Sequence, residues 1–127
     1  MVFMAVSYTH LLRRVRARGG RYVFLTNNSS RGTEAYLEKL ARMGIAAQPG
    51  DFLTSADATI AYLKKTYRDA LYYVCGTRSL KSQLRAAGLR VTDTLTDGID
   101  VLLLGYDTEL TYQKLEDCCI LLGRGVD

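Results

Sequence analysis

The feature that most constrains this chain is a repeated change of period. Stripes of apolar residues at helical spacing each stop at a glycine and give way to a short run of β-favouring residues. Leu11, Leu12 and Val15 make the first stripe, Gly19-Gly20 closes it, and Tyr22-Val23-Phe24-Leu25 follows as a strand. A strand apolar on consecutive positions suits a parallel sheet covered on both faces, where neither face meets water. The spacing predicts a second helix from Thr33 to Met43, with Leu37, Leu40 and Ala41 on one side and Gly44 as a left-handed cap. Gln48-Pro49-Gly50 reads as a turn holding the only proline.

The rhythm then restarts. Thr54 and Asp57 have the spacing of a capping box, so a helix runs from there to Tyr67 with Ile60 and Leu63 facing inward. Leu71 to Cys75 is a strand, and Leu80, Leu84 and Ala87 stripe a helix ended by Gly88. Leu89-Arg90-Val91 alternates as a half-exposed strand, and Ile99 to Leu104 is a strongly apolar one ending at Gly105. A last helix from about Thr111 to Leu122 would bury Leu115, Cys118, Cys119 and Leu122. Strands alternating with helices of this length mean an α/β fold built on parallel pairing. Both ends break the rhythm and read as cut: the first ten residues do not form a strand pattern, and another strand is due at Gly125-Val126-Asp127.

Bulk properties exclude some classes. The chain is 48% hydrophobic and 24% charged, as expected of a globular domain. No apolar run approaches the roughly 20 residues of a membrane helix. The N-terminus lacks the order of a secretory signal, so the expectation is a cytoplasmic protein with no membrane partner. The net charge of +4 is concentrated in Arg13-Arg14-Val15-Arg16-Ala17-Arg18, whose interleaved apolar residues suggest one solvated helix face rather than a nucleic-acid footprint. Cys75, Cys118 and Cys119 are odd in number and lack zinc-site spacing, so they read as small core side chains.

Chemistry is concentrated in Val23-Phe24-Leu25-Thr26-Asn27-Asn28-Ser29-Ser30, an apolar strand that ends in hydroxyls and amides before a helix. In open α/β sheets ligands bind beyond the carboxyl ends of strands, where backbone N–H groups and helix N-termini converge. A hydroxyl and an N–H placed there can donate to phosphoryl oxygens. The same residue types also favour turns and helix caps for local reasons. The residues alone leave both readings open.

The stretch Tyr22 to Asp127 resembles the NagD-like branch of the haloacid dehalogenase superfamily. Four blocks in order carry the likeness. They are Phe24 to Ser30, then Tyr36-Leu37-x-Lys39-Leu40-x-x-Met43-Gly44-Ile45, then Phe52-Leu53-Thr54-Ser55-Ala56-Asp57-Ala58-Thr59, and finally Gly105-Tyr106-Asp107-x-x-Leu110-Thr111-Tyr112-x-Lys114-Leu115. The resemblance implies a Rossmann-like core followed by an α/β cap of the C2 type. It implies a phosphomonoester hydrolase that acts through a phospho-aspartate, with Mg2+ and a lysine neutralising the phosphate. Its substrate would be a small phosphorylated metabolite such as a sugar phosphate, phosphoglycolate, pyridoxal phosphate or nitrophenyl phosphate. Thr26, Asn27 and Asn28 would bind the phosphoryl group, while Gly76, Thr77, Tyr106 and Asp107 would be cap residues near the substrate.

The departures from the pattern are as informative. The family's nucleophile lies in an Asp-x-Asp strand ahead of the first helix, yet no Asp-x-Asp occurs here and no aspartate precedes Asp51. The family's lysine motif and metal-binding acids would follow Asp127. The chain is therefore expected to contain neither the nucleophile, the acid/base aspartate nor the metal ligands, and to be inactive alone. Residues 1–11, including Val6-Ser7-Tyr8-Thr9-His10-Leu11, read as a non-native N-terminus; residues 12–67 as a partial core; and residues 68–127 as a partial cap. The alternative is a non-catalytic α/β module that binds a phosphorylated ligand. A flavodoxin-like nucleotide binder is disfavoured, because no glycine-rich phosphate loop follows any strand. The oligomeric state is not legible.

Overall fold

The computed structural model describes residues 2–28 and 32–127, and the side chains from residue 8 onward within that range. Ser29 and Ser30 of the first family block lie outside the described residues. The elements are α1 (Val2–Ala17), β1 (Phe24–Thr26), α2 (Thr33–Arg42), β2 (Phe52–Thr54), α3 (Ser55–Thr66), β3 (Leu71–Cys75), α4 (Arg78–Ala86), β4 (Arg90–Thr92), β5 (Val101–Leu104) and α5 (Tyr112–Gly123). This is the expected α/β alternation. The chain divides into two compact units, one of residues 1–26 and 33–53, the other of residues 27–32 and 54–127.

In the first unit β1 pairs with β2 as a two-stranded sheet. Aromatic rings tie its elements together: Phe24 lies 5.2 Å from Phe52 between ring centroids, and Tyr36 lies 6.0 Å from Phe52. The basic run of α1 is not wholly solvated. Arg13, Arg14 and Arg18 are exposed, but Arg16 pairs with Asp51 at 2.7 Å and stacks over the Tyr22 ring at 4.7 Å. Strand β1 begins later than Tyr22. It does not show the two-sided burial expected of it: Leu25 is 75% exposed.

The second unit has that burial in full. Its three strands are parallel in the order β4-β3-β5, with Tyr72 opposite both Val91 and Val101. Side chains on a strand alternate between faces. Tyr72 and Val74 therefore enter one core with Ala56 and Leu63 of α3 and Leu80 and Leu84 of α4. Tyr73 and Cys75 enter the opposite core with Ile99, Cys118 and Leu121. Helices on both faces of a parallel sheet make a three-layer α/β sandwich. By packing, the seam falls at Leu53–Thr54, because Ala56 and Leu63 are buried with the second unit.

The inner face of α5 is rotated from the expected stripe. Cys118 and Leu121 are buried, whereas Leu115, Cys119 and Leu122 are exposed. The cause is Asp117, buried at 6% exposure. Its carboxylate accepts from the Tyr73 hydroxyl at 2.6 Å and from Gln113 Nε2 at 2.9 Å. A polar residue with its hydrogen bonds met can occupy a core position. Among the described residues, no helix is long and apolar enough to cross a membrane.

Candidate functional site

Thr26 is the last residue of β1, and its hydroxyl donates to the Tyr36 hydroxyl of α2 at 3.3 Å. Asn27 and Asn28 follow at once and are exposed. The strand end therefore carries a half-buried hydroxyl and then two amides, in the segment that leads to α2. Among the described residues, no three His, Cys, Asp or Glu side chains lie together in a way that could hold a metal ion.

In the second unit Asn27 lines a cavity of about 270 Å³ with Ser55 and Thr59 of α3 and with Leu80, Leu103 and Tyr106. The structure thus brings Asn27 and Tyr106 to one cavity. Tyr106 is 68% exposed, leaving its ring available to a ligand. The Ser55 hydroxyl oxygen is buried and unpaired there. It lies at the first turn of α3, whose N-terminus Thr54 caps: Thr54 Oγ1 accepts from Asp57 N at 3.1 Å, and Asp57 Oδ2 accepts from Thr54 N at 2.9 Å. The first-turn N–H groups that the Thr54 cap leaves unmet give this end of α3 a partial positive character.

The other residues singled out from sequence sit a short distance along the same edge of the sheet. Gly76 is buried just after β3, and a Cβ there would meet Leu80 Cδ2 at 2.9 Å, so a larger residue would have to displace the Leu80 side chain. Thr77 is buried and caps α4, accepting from Leu80 N at 3.3 Å. Asp107 is held by Lys114, whose Nζ donates to Asp107 Oδ2 at 2.7 Å, to Glu109 O at 2.9 Å and to Gly76 O at 3.2 Å. Lys114 therefore ties the loop after β3 to the loop after β5. Lys114 lies in the last family block, seven residues after Asp107, a spacing that gives no local signal of this role.

Three comparisons bear on what these arrangements belong to. The family model described as haloacid dehalogenase-like hydrolase matches residues 7–90. The acid sugar phosphatase of Staphylococcus haemolyticus is 35% identical over 104 residues, which is 82% of this chain and 39% of that protein. Among solved structures, the 4-nitrophenylphosphatase from Thermotoga maritima has a TM-score of 0.83 at 33% identity, covering 91% of this chain and 43% of that one. The glycerol phosphate phosphatase from Mycobacterium tuberculosis, solved in complex with magnesium, has a TM-score of 0.77 at 26% identity, covering 84% and 33%. The chain spans about two fifths of the length of the curated relatives it matches.

Proposed function

The chain belongs to the haloacid dehalogenase-like hydrolase family, in its NagD-like phosphatase branch, and on that premise we propose that it supplies the phosphoryl-holding strand end of a phosphomonoester hydrolase. Thr26 would donate its hydroxyl to a phosphoryl oxygen, and the backbone N–H of Asn27 would donate to another. Fixed donors of this kind act most strongly on charge that develops in the transition state, because no solvent must reorganise to meet it. The observation that carries the reading is the placement of Thr26 at the carboxyl end of β1, with Asn27 and Asn28 exposed immediately after it.

Within the second unit, the cavity that Asn27 shares with Tyr106 would take a small metabolite. Its lining mixes Asn27, Ser55 and Thr59 with Leu80, Leu103 and Tyr106, which suits a small phosphorylated metabolite such as a sugar phosphate or an aryl phosphate. Of the other cap candidates, Gly76, Thr77 and Asp107 already have packing or hydrogen-bonding roles within the second unit. Tyr106 is the one we would place against the substrate.

Magnesium enters this proposal through the relative solved with that ion. The described residues do not fit a magnesium site, so no step here is derived through it. The nucleophilic aspartate likewise has no counterpart in the sequence. Residues 1–127 alone are therefore expected to hold phosphate without cleaving its esters. The test is magnesium-dependent hydrolysis of nitrophenyl phosphate by this chain and by a version completed with the family's upstream and downstream segments. Turnover only in the completed protein supports the reading. An inactive but folded completed protein favours the non-catalytic phosphate-binding module instead.

A further inference from the structure

A second cavity, of about 480 Å³, lies in the second unit and has no part in the function proposed above. Its position follows from topology. Strand β3 lies between β4 and β5; the chain leaves β3 for α4 on one face of the sheet and leaves β5 for α5 on the other. Loops that part in opposite directions at the carboxyl ends of neighbouring parallel strands open a crevice, and this is where α/β sheets bind ligands. The crevice here lies between Gly76 and Arg78 after β3 and Glu109 and Thr111 after β5.

Its lining is charged in a regular way. Helix α4 presents Arg78, Lys81 and Arg85 at i, i+3 and i+7, which places all three on one side of the helix. Lys114 of α5 faces them. Asp93 and Glu109 are the carboxylates of the lining, so four cations meet two anions, and one positive charge remains even when Asp107 behind Lys114 is counted. Lys81 and Arg85 both pair with the one carboxylate of Asp93. Arg78 is the least committed: its side chain is 94% exposed, and its Nε stands 3.6 Å from Glu109. No aliphatic or aromatic residue is among the lining residues, so charge and hydrogen bonding dominate what the crevice offers a ligand.

We propose that this crevice is a second anion site that takes a small phosphoryl group on a wholly polar body, either inorganic phosphate or a sugar phosphate. The Arg78 and Arg85 guanidinium groups would grip the phosphoryl oxygens, a geometry that arginine's planar fork suits better than lysine's point charge. Lys81 and Asp93 would hold the α4 side of the crevice in place.

The test is calorimetric titration of the full 127-residue chain with inorganic phosphate and, separately, with glucose 6-phosphate. Saturable binding of either is expected, and the tighter of the two identifies the source of the phosphoryl group. Arg78→Gln/Arg85→Gln should weaken binding by about tenfold or more, the consequence of losing charge-assisted hydrogen bonds. Arg78→Gln alone should weaken it less and, being so exposed, should leave the melting temperature unchanged. Lys64→Gln/Lys65→Gln, which removes the same charge from an exposed part of α3, should bind as the unmodified chain does, and Thr26→Ala should keep the binding that the arginine variants lose. The proposal is overturned by no saturable binding of either ligand, by equal weakening in the Lys64/Lys65 variant, or by loss of binding in Thr26→Ala with the arginine variants unaffected. That last result would assign the bound phosphate to the β1 strand end instead.

Discussion

Lys114 Nζ sits 2.7 Å from Asp107 Oδ2, and the Asp107 side chain it covers is only 2% exposed. The same ammonium group donates to the carbonyls of Gly76 and Glu109. One side chain thus joins the loops after β3 and β5 and neutralises a carboxylate that has almost no contact with water. Lys114→Met should leave that carboxylate buried without a counter-charge and cost about 3–5 kcal/mol. Urea unfolding checks this, and the double variant Lys114→Met/Asp107→Leu should recover part of the loss. Equal midpoints for the single variant and the unmodified chain would show that the pair is solvated and immaterial.

The rotated face of α5 makes a second prediction. Leu121 is fully buried, and truncation to Ala should cost about 2–5 kcal/mol through lost transfer energy and a residual cavity. Leu122 is 61% exposed, and Leu122→Ala should fall within about 0.5 kcal/mol of the unmodified chain. The reverse ranking would restore the stripe that periodicity alone suggests.

Alkaline pH should loosen the core between β3 and α5. Burial pushes the Cys118 thiol up to about 12, helped by its hydrogen bond with Cys75. Burial likewise raises the Tyr73 phenol, and the hydrogen bond to Asp117 raises it further. Both groups prefer their neutral forms more strongly when folded than when unfolded. Their contribution is fully present below the ordinary values of 9.0 for the thiol and 10.0 for the phenol, and is lost as pH rises through the raised ones. Melting temperature measured upward from pH 9.0 should fall, and should fall less steeply in Cys118→Val. A flat profile would mean that neither group stays neutral in the folded core.

Much of this fold is legible in the sequence because its signals are local. The Thr54 and Asp57 spacing predicts the reciprocal hydrogen bonds found at the start of α3. The consecutive apolar residues Leu71 to Cys75 mark β3 with the bounds observed, and Gly44 and Gly88 adopt φ of +72° and +85° where helices α2 and α4 end. What escapes the sequence depends on partners distant along the chain. Asp117 lies outside the apolar stripe Leu115, Cys118, Cys119 and Leu122, yet the hydrogen bond from Tyr73, forty-four residues away, gives it a core position. Tyr22 reads as a strand residue, yet its hydroxyl donates to Ala46 O and its ring lies under Arg16.

The candidate site divides in the same way. Thr26, Asn27 and Asn28 form one continuous segment, so their placement at a strand end follows from the strand itself. Gly76 and Asp107 are joined only through Lys114, and the basic side of α4 gains meaning only beside the loop after β5. Neither relationship has a short-range signature.

In the proposed function the Thr26 hydroxyl would hold the transferring phosphoryl group. The most direct test of that role is the steady-state hydrolysis of nitrophenyl phosphate by the completed protein carrying Thr26→Ala or Thr26→Ser. Removing a donor aimed at developing charge should lower kcat by about 10²–10³. Thr26→Ala should show that loss, and the hydroxyl of Thr26→Ser should restore most of the rate. A Thr26→Ala protein that turns over as fast as the unmodified one would contradict it.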